Sequence, residues 1–303
     1  MLKKASFLFF SLFCLSHLHA QAKSNTLIPE SIIAQLLKSY SEDEKMLIEA
    51  DLSMLRTLIF SIAKPTKNGK PQYVGTAGGP LSRKTTILEK TLSEDALFQG
   101  AVYLDPDARG LKLMANTYIS KSMTHLDIYK KQDMQIVRKE AYERWRDASN
   151  FITNALLNEA YAKKYDIAHG TTLTGAASPT FLKNLKDAGY EITLLLAFAP
   201  TNFKEQALKF RHEVQGFYQA TPEDTTEKAK LFPQRMKDYF STADHLRLFW
   251  TEEFSDKISP CATWSKATGL QVLDKALYEK IVDSYTQFQK KSPELAPWDS
   301  LIN

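Results

Sequence analysis

A short glycine-rich turn, set between an apolar run and a helix-forming run, constrains this chain more than any other feature. The stretch is YVGTAGGPLSRKTT, residues 73–86. The residues before it predict a short strand over 72–75, and Lys84 to Glu94 suits a helix. Backbone N–H groups at such a turn surround phosphate groups, and the helix N-terminus adds positive potential. The usual spacing is G-x-x-x-x-G-K-[ST]. Here Gly78 is followed by Gly79, Pro80, Leu81 and Ser82, and Arg83 then stands where the second glycine belongs. An arginine there must find an allowed backbone conformation or carry strain of about 1–3 kcal/mol. The nucleotide-facing candidates are Gly78, Gly79, Ser82, Arg83, Lys84, Thr85 and Thr86. Lys84 suits the β- and γ-phosphates, the Thr85 hydroxyl suits Mg2+, and Arg83 adds charge. The plain alternative is a glycine-rich turn carrying a solvated basic pair.

Strand and helix signals alternate along the rest of the chain. Residues 29–64 read as two amphipathic helices broken near Ser41, where SEDE supplies a cap and first-turn acids. AVYLDPD, residues 101–107, suits a buried strand ending in two carboxylates. Residues 133–164 form a long amphipathic helix, with Ile136, Tyr142, Trp145, Ala148, Ile152, Leu156 and Ala160 on one face. YDIAHGTT, residues 165–172, is a second strand-to-loop edge, followed by a helix over 178–188. EITLLLAFAP is a strand apolar on both faces, closed by Pro200. Polar helices over 202–219 and 222–240, a strand over 245–250 and a helix over 270–290 complete the pattern. The class is therefore α/β: a P-loop NTPase-type parallel sheet flanked by helices, with extra N-terminal helices and a helical lid.

The N-terminus has Lys3 and Lys4, an apolar run from Phe7 to Leu18, and Ala20 and Ala22, the layout of a cleavable export signal. An uncleaved anchor and a buried first helix are the alternatives. The division is then residues 1–22 as signal, 23–71 as a helical segment and connector, and 72–303 as the P-loop domain. The expected destination is the periplasm or the exterior, with no stable membrane anchor after cleavage. Of 39 Lys and Arg, loss of Lys3 and Lys4 leaves 37 against 35 Asp and Glu, so nucleic acid is not an expected partner. Cys14 leaves with the signal, and Cys261 then has no intramolecular partner. The six histidines show no zinc-binding spacing.

Three further groups carry chemistry. Asp105 and Asp107 stand where an α/β sheet gathers catalytic groups, and a carboxylate there can take the proton of an attacking hydroxyl; an Asp-Pro-Asp turn is the alternative. His169, Gly170 and Thr171 end the next strand and either contact substrate or cap a helix. On the polar helix pair, Arg211 and Arg235 are candidates to close over a triphosphate.

In this order and spacing, TAGGPLSRKTT, YLDPDARG, DIAHGTT and LKDAGYEITLLLAFAP resemble the zeta-toxin family of P-loop kinases over residues 73–250. The resemblance implies a phosphotransferase using ATP and Mg2+. Asp107 would be the base, Lys84 the phosphate ligand, Thr85 the Mg2+ ligand and Arg211 the lid arginine, with Asp105, His169, Gly170 and Thr171 on the substrate side. Family members acting as toxins phosphorylate UDP-N-acetylglucosamine. The family usually has Glu-Gly-Thr where this chain has His169-Gly170-Thr171, which opens the substrate to question. Two other readings stay open: an exported P-loop protein that binds without turnover, and a kinase of a different small molecule.

Overall fold

The computed structural model describes residues 26–63, 66, 69–123, 131–214, 218, 222–255 and 257–302. The predicted export signal lies outside the described residues. The chain begins with α1 (Glu30–Gln35) and α2 (Glu42–Ser61). Ser41 starts α2 as the SEDE signal predicts: its hydroxyl accepts from the Glu44 N–H, and the Glu44 carboxylate takes the Ser41 N–H. Ile48, Leu52, Leu55 and Ile59 of α2 are buried in the same core as the sheet, so these helices are part of the domain rather than an appendage. Asp51 is fully buried among them. Its carboxylate accepts from the Asn116 N–H at 2.8 Å and the Thr117 hydroxyl at 2.6 Å, holding the start of a wide π-type turn at Ala115–Met123.

Seven strands follow, interleaved with helices. These are β1 (Gln72–Ala77), α3 (Lys84–Glu94), β2 (Val102–Leu104), α4 (Lys131–Ala162), β3 (Ile167–His169), α5 (Ser178–Asp187) and β4 (Glu191–Phe198). Then come α6 (Thr201–Glu213), α7 (Pro222–Gln234), α8 (Met236–Thr242), β5 (His245–Trp250), β6 (Ala262–Ser265), β7 (Gly269–Val272), α9 (Lys275–Lys291) and α10 (Trp298–Ile302). The sheet order is β2-β3-β1-β4-β5-β6-β7. The first five strands run parallel, and β6 and β7 add an antiparallel edge. β4, at the centre, is buried from Ile192 to Phe198, which explains its continuous apolar run.

Two expectations need correction. Leu270 and Val272 do not open the C-terminal helix: they form β7, returned on β6 by a turn in which Gly269 takes φ +67°, and α9 begins only after its Asp274 cap. The predicted helix over 222–240 is two helices, divided at Arg235 just after Pro233, whose ring removes an N–H from the ladder. The sheet is accordingly mixed, although the strands that matter to the site are parallel. Their C-terminal ends share one edge, where Gly78, Asp105, Gly170 and Ala199 emerge.

Candidate active site

The loop after β1 is built on strained backbone. Gly78 takes φ +152°, and a Cβ there would meet the Ala197 carbonyl oxygen at 2.5 Å. Its N–H is held by the Thr172 carbonyl at 3.1 Å. Leu81 and Arg83, neither of them glycine, take φ +63° and +58°. Each costs about 1–2 kcal/mol in that left-handed region. The Leu81 side chain is buried with Phe203 and Ala207 of α6, a burial that contributes roughly 1.5–3 kcal/mol and ties the loop to that helix. Arg83 keeps the conformation glycine would supply, and its guanidinium turns away to the carbonyls of Glu253 at 3.0 Å and Ser255 at 2.5 Å. Its side chain thus anchors the loop; what it offers a phosphate is backbone.

Ser82 spends its hydroxyl inside the loop, donating to the Gly79 carbonyl at 2.9 Å. Arg83, the N-cap of α3, gives the helix no side-chain cap, and the first-turn amides, here those of Lys84, Thr85 and Thr86, have no acceptor within the helix itself. Lys84 Nζ donates to the same Gly79 carbonyl at 2.6 Å. Burial, then the positive charges of Arg211 and Lys204, push the Lys84 ammonium down to about 7, against the weaker pull of Asp105 and Asp107.

The two aspartates divide. Asp105 is buried, and one of its oxygens accepts from the N–H groups of Asp107 and Ala108 at 2.8 and 2.9 Å, shaping the π-type turn Pro106–Gly110. The other oxygen lies 3.2 Å from the Thr85 hydroxyl. Both Asp105 oxygens are thus engaged within the protein, one by the turn and one by Thr85. A hydroxyl and a carboxylate side by side, next to a phosphate loop, are the protein donors that Mg2+ needs when water and phosphate supply the rest, so this pair fits the ion. Asp107 instead pairs with Arg146 of α4. Burial and the neighbouring Asp105 charge hold its carboxyl above the usual range despite that arginine.

Gly170 is required by close approach: a Cβ there would lie 2.2 Å from the Asp105 oxygen that faces Thr85. Gly170→Ala is expected to push Asp105 off Thr85, costing about 1–3 kcal/mol of stability and raising the Mg2+ concentration needed for ATP binding. Thermal unfolding and a Mg2+ titration of nucleotide binding check this; an unchanged Mg2+ requirement would separate Asp105 from the metal.

α6 brings two cations to the loop. Lys204 and Arg211, two helical turns apart, both act on Lys84, and Arg211 is drawn to Asp107 and Asp105. A Cβ on Gly79 would sit 3.3 Å from Lys204 Nζ and 3.4 Å from Ala229 Cα, so α6 and α7 both close on the loop.

The Zeta toxin family model matches residues 57–231, more than half of the chain. The chain belongs to the zeta-toxin family. Members of this family that are kinases are phosphotransferases acting on small molecules. No curated protein matches it in sequence. Its fold is similar to that of a chain from the PezAT chromosomal toxin–antitoxin system of Streptococcus pneumoniae, at 14% identity over 84% of this chain and 97% of that one, TM-score 0.55. It is also similar to a chain of the AvrRxo1-ORF1:-ORF2 complex solved with ATP, at 15% identity over 85% and 75%, TM-score 0.57. For the native form of that complex the values are 13%, 86%, 85% and 0.58. At such identities the likeness speaks to fold alone.

Within this zeta-toxin fold, the structure brings Gly78, Gly79, Lys84, Thr85, Asp105, Asp107 and Arg211 together. It withholds His169: the ring is buried between Tyr73 and Phe181, its Nδ1 is 3.1 Å from the Tyr73 hydroxyl, and burial pushes it down to about 4, which keeps it neutral. A neutral ring packed against the sheet is no substitute for a substrate-binding glutamate. Thr171 positions the loop, its backbone bonding to the Thr76 hydroxyl at 2.6 and 2.9 Å. Arg235 is tied to the Thr174 carbonyl and to Asp238. Sequence reasoning missed Lys204 and Arg146. The seven-residue spacing of Lys204 and Arg211 on one predicted helix was the available signal for the first; nothing local distinguished Arg146 from the other charges of α4.

Proposed function

We propose that this protein is an ATP-dependent phosphotransferase of zeta-toxin type, moving the γ-phosphoryl group of ATP to a hydroxyl of a small molecule such as a UDP-N-acetyl sugar. The observation that carries this is the meeting of Asp107 with Lys84, Arg211 and the Thr85–Asp105 pair at one sheet edge. In this reading, the amides of the 78–86 loop and the Lys84 ammonium hold the triphosphate. Thr85 and Asp105 would hold Mg2+, which when bound neutralises charge on the β- and γ-phosphates. Asp107, oriented by Arg146, accepts the acceptor's proton as its oxygen bonds to γ-phosphorus and the bond to the β-phosphate bridging oxygen breaks, giving ADP. Lys204 and Arg211 face the charge that gathers on the transferring group. Burial raises the pKa of Asp107 and so makes it a stronger base than a solvated aspartate.

Incubation of the mature chain, from Lys23, with Mg-ATP and UDP-N-acetylglucosamine tests the reading, with mass spectrometry of the sugar nucleotide. A phosphorylated product supports it; ATP turnover with an unmodified sugar supports a different small-molecule acceptor. The reading without turnover draws support from α7 resting on Gly79, and predicts no Mg-ATP binding. We infer export from the N-terminal signal. A kinase so exported must be delivered to a compartment that contains ATP, such as another cell.

The lowered pKa of Lys84 has a measurable consequence. Folded Lys84 loses its proton as pH rises through about 7, and a bound triphosphate restores it. Mg-ATP binding at pH 8 is therefore expected to take up close to one proton, and affinity to fall toward tenfold per pH unit above 7. Calorimetry in buffers of differing ionisation enthalpy reads the uptake. Without ligand the sign for stability is opposite to that of a salt-bridged lysine: between about 7 and 10.5 the unfolded chain holds the extra proton, so stability rises with pH.

A further inference from the structure

The loop after β5 carries an aromatic side chain that neither the phosphate site nor the proposed base uses. Phe254 is 45% exposed, and its ring lies 5.1 Å from that of Phe203 and 4.9 Å from that of Phe210, both on α6. Phe210 is itself 37% exposed, so these two rings present aromatic surface to solvent. Leu81 of the phosphate loop is buried against Phe203, which sets that surface beside the loop. The β5 loop is pinned twice. Thr251 donates through its N–H and its hydroxyl to the Phe198 carbonyl at the end of β4, at 2.9 and 3.1 Å. The Arg83 guanidinium donates to the carbonyls of Glu253 and Ser255, which flank Phe254.

Where a nucleobase falls follows from the sheet order. The phosphate loop leaves β1; Asp107 stands after β2, two strands to one side, and Phe254 stands after β5, two strands to the other. In phosphoryl transfer the attacking and leaving oxygens lie roughly in line through phosphorus. With the attacking hydroxyl at Asp107, the leaving nucleotide points the opposite way, toward β4 and β5. Strands lie about 4.8 Å apart, so β5 ends roughly 10 Å from β1, a gap for the α-phosphate and ribose to cross. An aromatic ring with open surface at that point suits the flat π-face of a base.

We propose that Phe254 is the platform on which the nucleobase stacks and that Arg83 is a positioning residue that holds it there, so that the residue standing in place of the loop's second glycine ties the phosphate site to the base site. A glycine at 83 would supply the backbone conformation and no clamp. Arg83 takes that conformation, φ +58°, and adds two hydrogen bonds to a loop 170 residues away. With the carbonyls on both sides of residue 254 fixed, and with Phe203 and Phe210 against its ring, the platform is ordered before nucleotide arrives. Less freedom is then lost on binding, which raises affinity. This rests on the kinase reading above, and concerns hold on the nucleoside rather than the transfer step.

Calorimetric titration with Mg-ATP, beside magnesium tripolyphosphate, which has the phosphates and no nucleoside, tests this on the wild-type chain and on Phe254→Leu, Arg83→Gly and Arg83→Lys. The wild type is expected to bind Mg-ATP more tightly than tripolyphosphate. Phe254→Leu keeps an apolar side chain against α6 and removes the ring; it should weaken Mg-ATP about three- to tenfold and leave tripolyphosphate within about twofold. Arg83→Gly should show the same split, although it restores the usual loop spacing, and Arg83→Lys, which keeps a donor, should recover part of the loss. Glycine relieves the backbone at φ +58°, so the thermal midpoint of Arg83→Gly is expected close to that of the wild type, and lost affinity is then not lost fold. Tighter Mg-ATP binding by Arg83→Gly, an equal loss of both ligands, or Mg-ATP affinity unchanged by Phe254→Leu would each overturn the proposal. Binding of neither ligand by the wild type would remove the kinase reading, and this proposal with it; tripolyphosphate bound as tightly as Mg-ATP removes this proposal alone.

Discussion

Asp107→Asn is expected to lower kcat for phosphoryl transfer by about 10²–10⁴-fold while leaving Mg-ATP affinity within twofold. The amide is isosteric with the carboxylate and can still accept from Arg146, so the turn at 106–110 and the pairing with α4 survive. What is lost is the ability to take a proton. Asp105 cannot stand in, because its two oxygens are committed to the Asp107 and Ala108 N–H groups and to Thr85. Single-turnover transfer from radiolabelled ATP, with circular dichroism to check the fold, measures the effect. An unchanged rate would remove Asp107 as the base. A variant that also failed to bind Mg-ATP would assign Asp107 to the phosphate site instead.

Lys84→Ala is expected to weaken Mg-ATP binding at least 100-fold without destabilising the fold. The ammonium is held among Arg211 and Lys204, and burial and like charge both oppose its proton in the absence of phosphate. Removing it relieves that repulsion. The Gly79 carbonyl keeps the Ser82 hydroxyl as a donor, so no buried acceptor is left bare. The thermal midpoint should hold or rise while binding is lost, the signature of a group retained for its ligand at the expense of stability. Calorimetric titration beside a thermal melt reads both quantities. Unaltered affinity would mean that the loop amides and Lys204 suffice; a collapsed melting temperature would make Lys84 a structural residue.

Both predictions depend on a convergence that was only partly legible from the chain. The run of strand, glycine turn and helix over 72–94 is local, and its elements emerged where the residue pattern put them. The same holds for the buried central strand, 191–198, and for the Ser41 cap. Period and capping depend on neighbours in sequence, so they survive whatever the rest of the chain does. The β6–β7 hairpin was not legible, because Leu270 and Val272 fit a helical stripe as well as a strand, and only pairing with β6 decides between them. The length of the 222–240 helix failed for a related reason: α7 and α8 turn at Arg235 so that Phe232 and Tyr239 can both reach the core.

Arg83 shows where the boundary lies. From the sequence it could be read as an intact loop carrying one extra charge or as a loop spoiled by a Cβ. The fold gives a third answer, in which the residue takes the glycine-like conformation and its guanidinium is held by the carbonyls of Glu253 and Ser255, far along the chain. His169 shows the converse. Its place in a motif suggested substrate contact, but a strand side chain points to one face or the other, and here that face is the packed one against Tyr73 and Phe181.

The sequence by itself determined the order of the five parallel strands, the family, and a glycine-rich turn of P-loop spacing with Lys84, Thr85 and an Asp pair downstream. It did so because these depend on local periodicity and on residue types at short spacing. Only the tertiary structure decided that Asp105 faces Thr85 while Asp107 faces Arg146, and that Lys204 joins Lys84 and Arg211. Those are directions of side chains brought together from separate strands and helices, and direction is set by how whole elements pack, which no short stretch of sequence encodes.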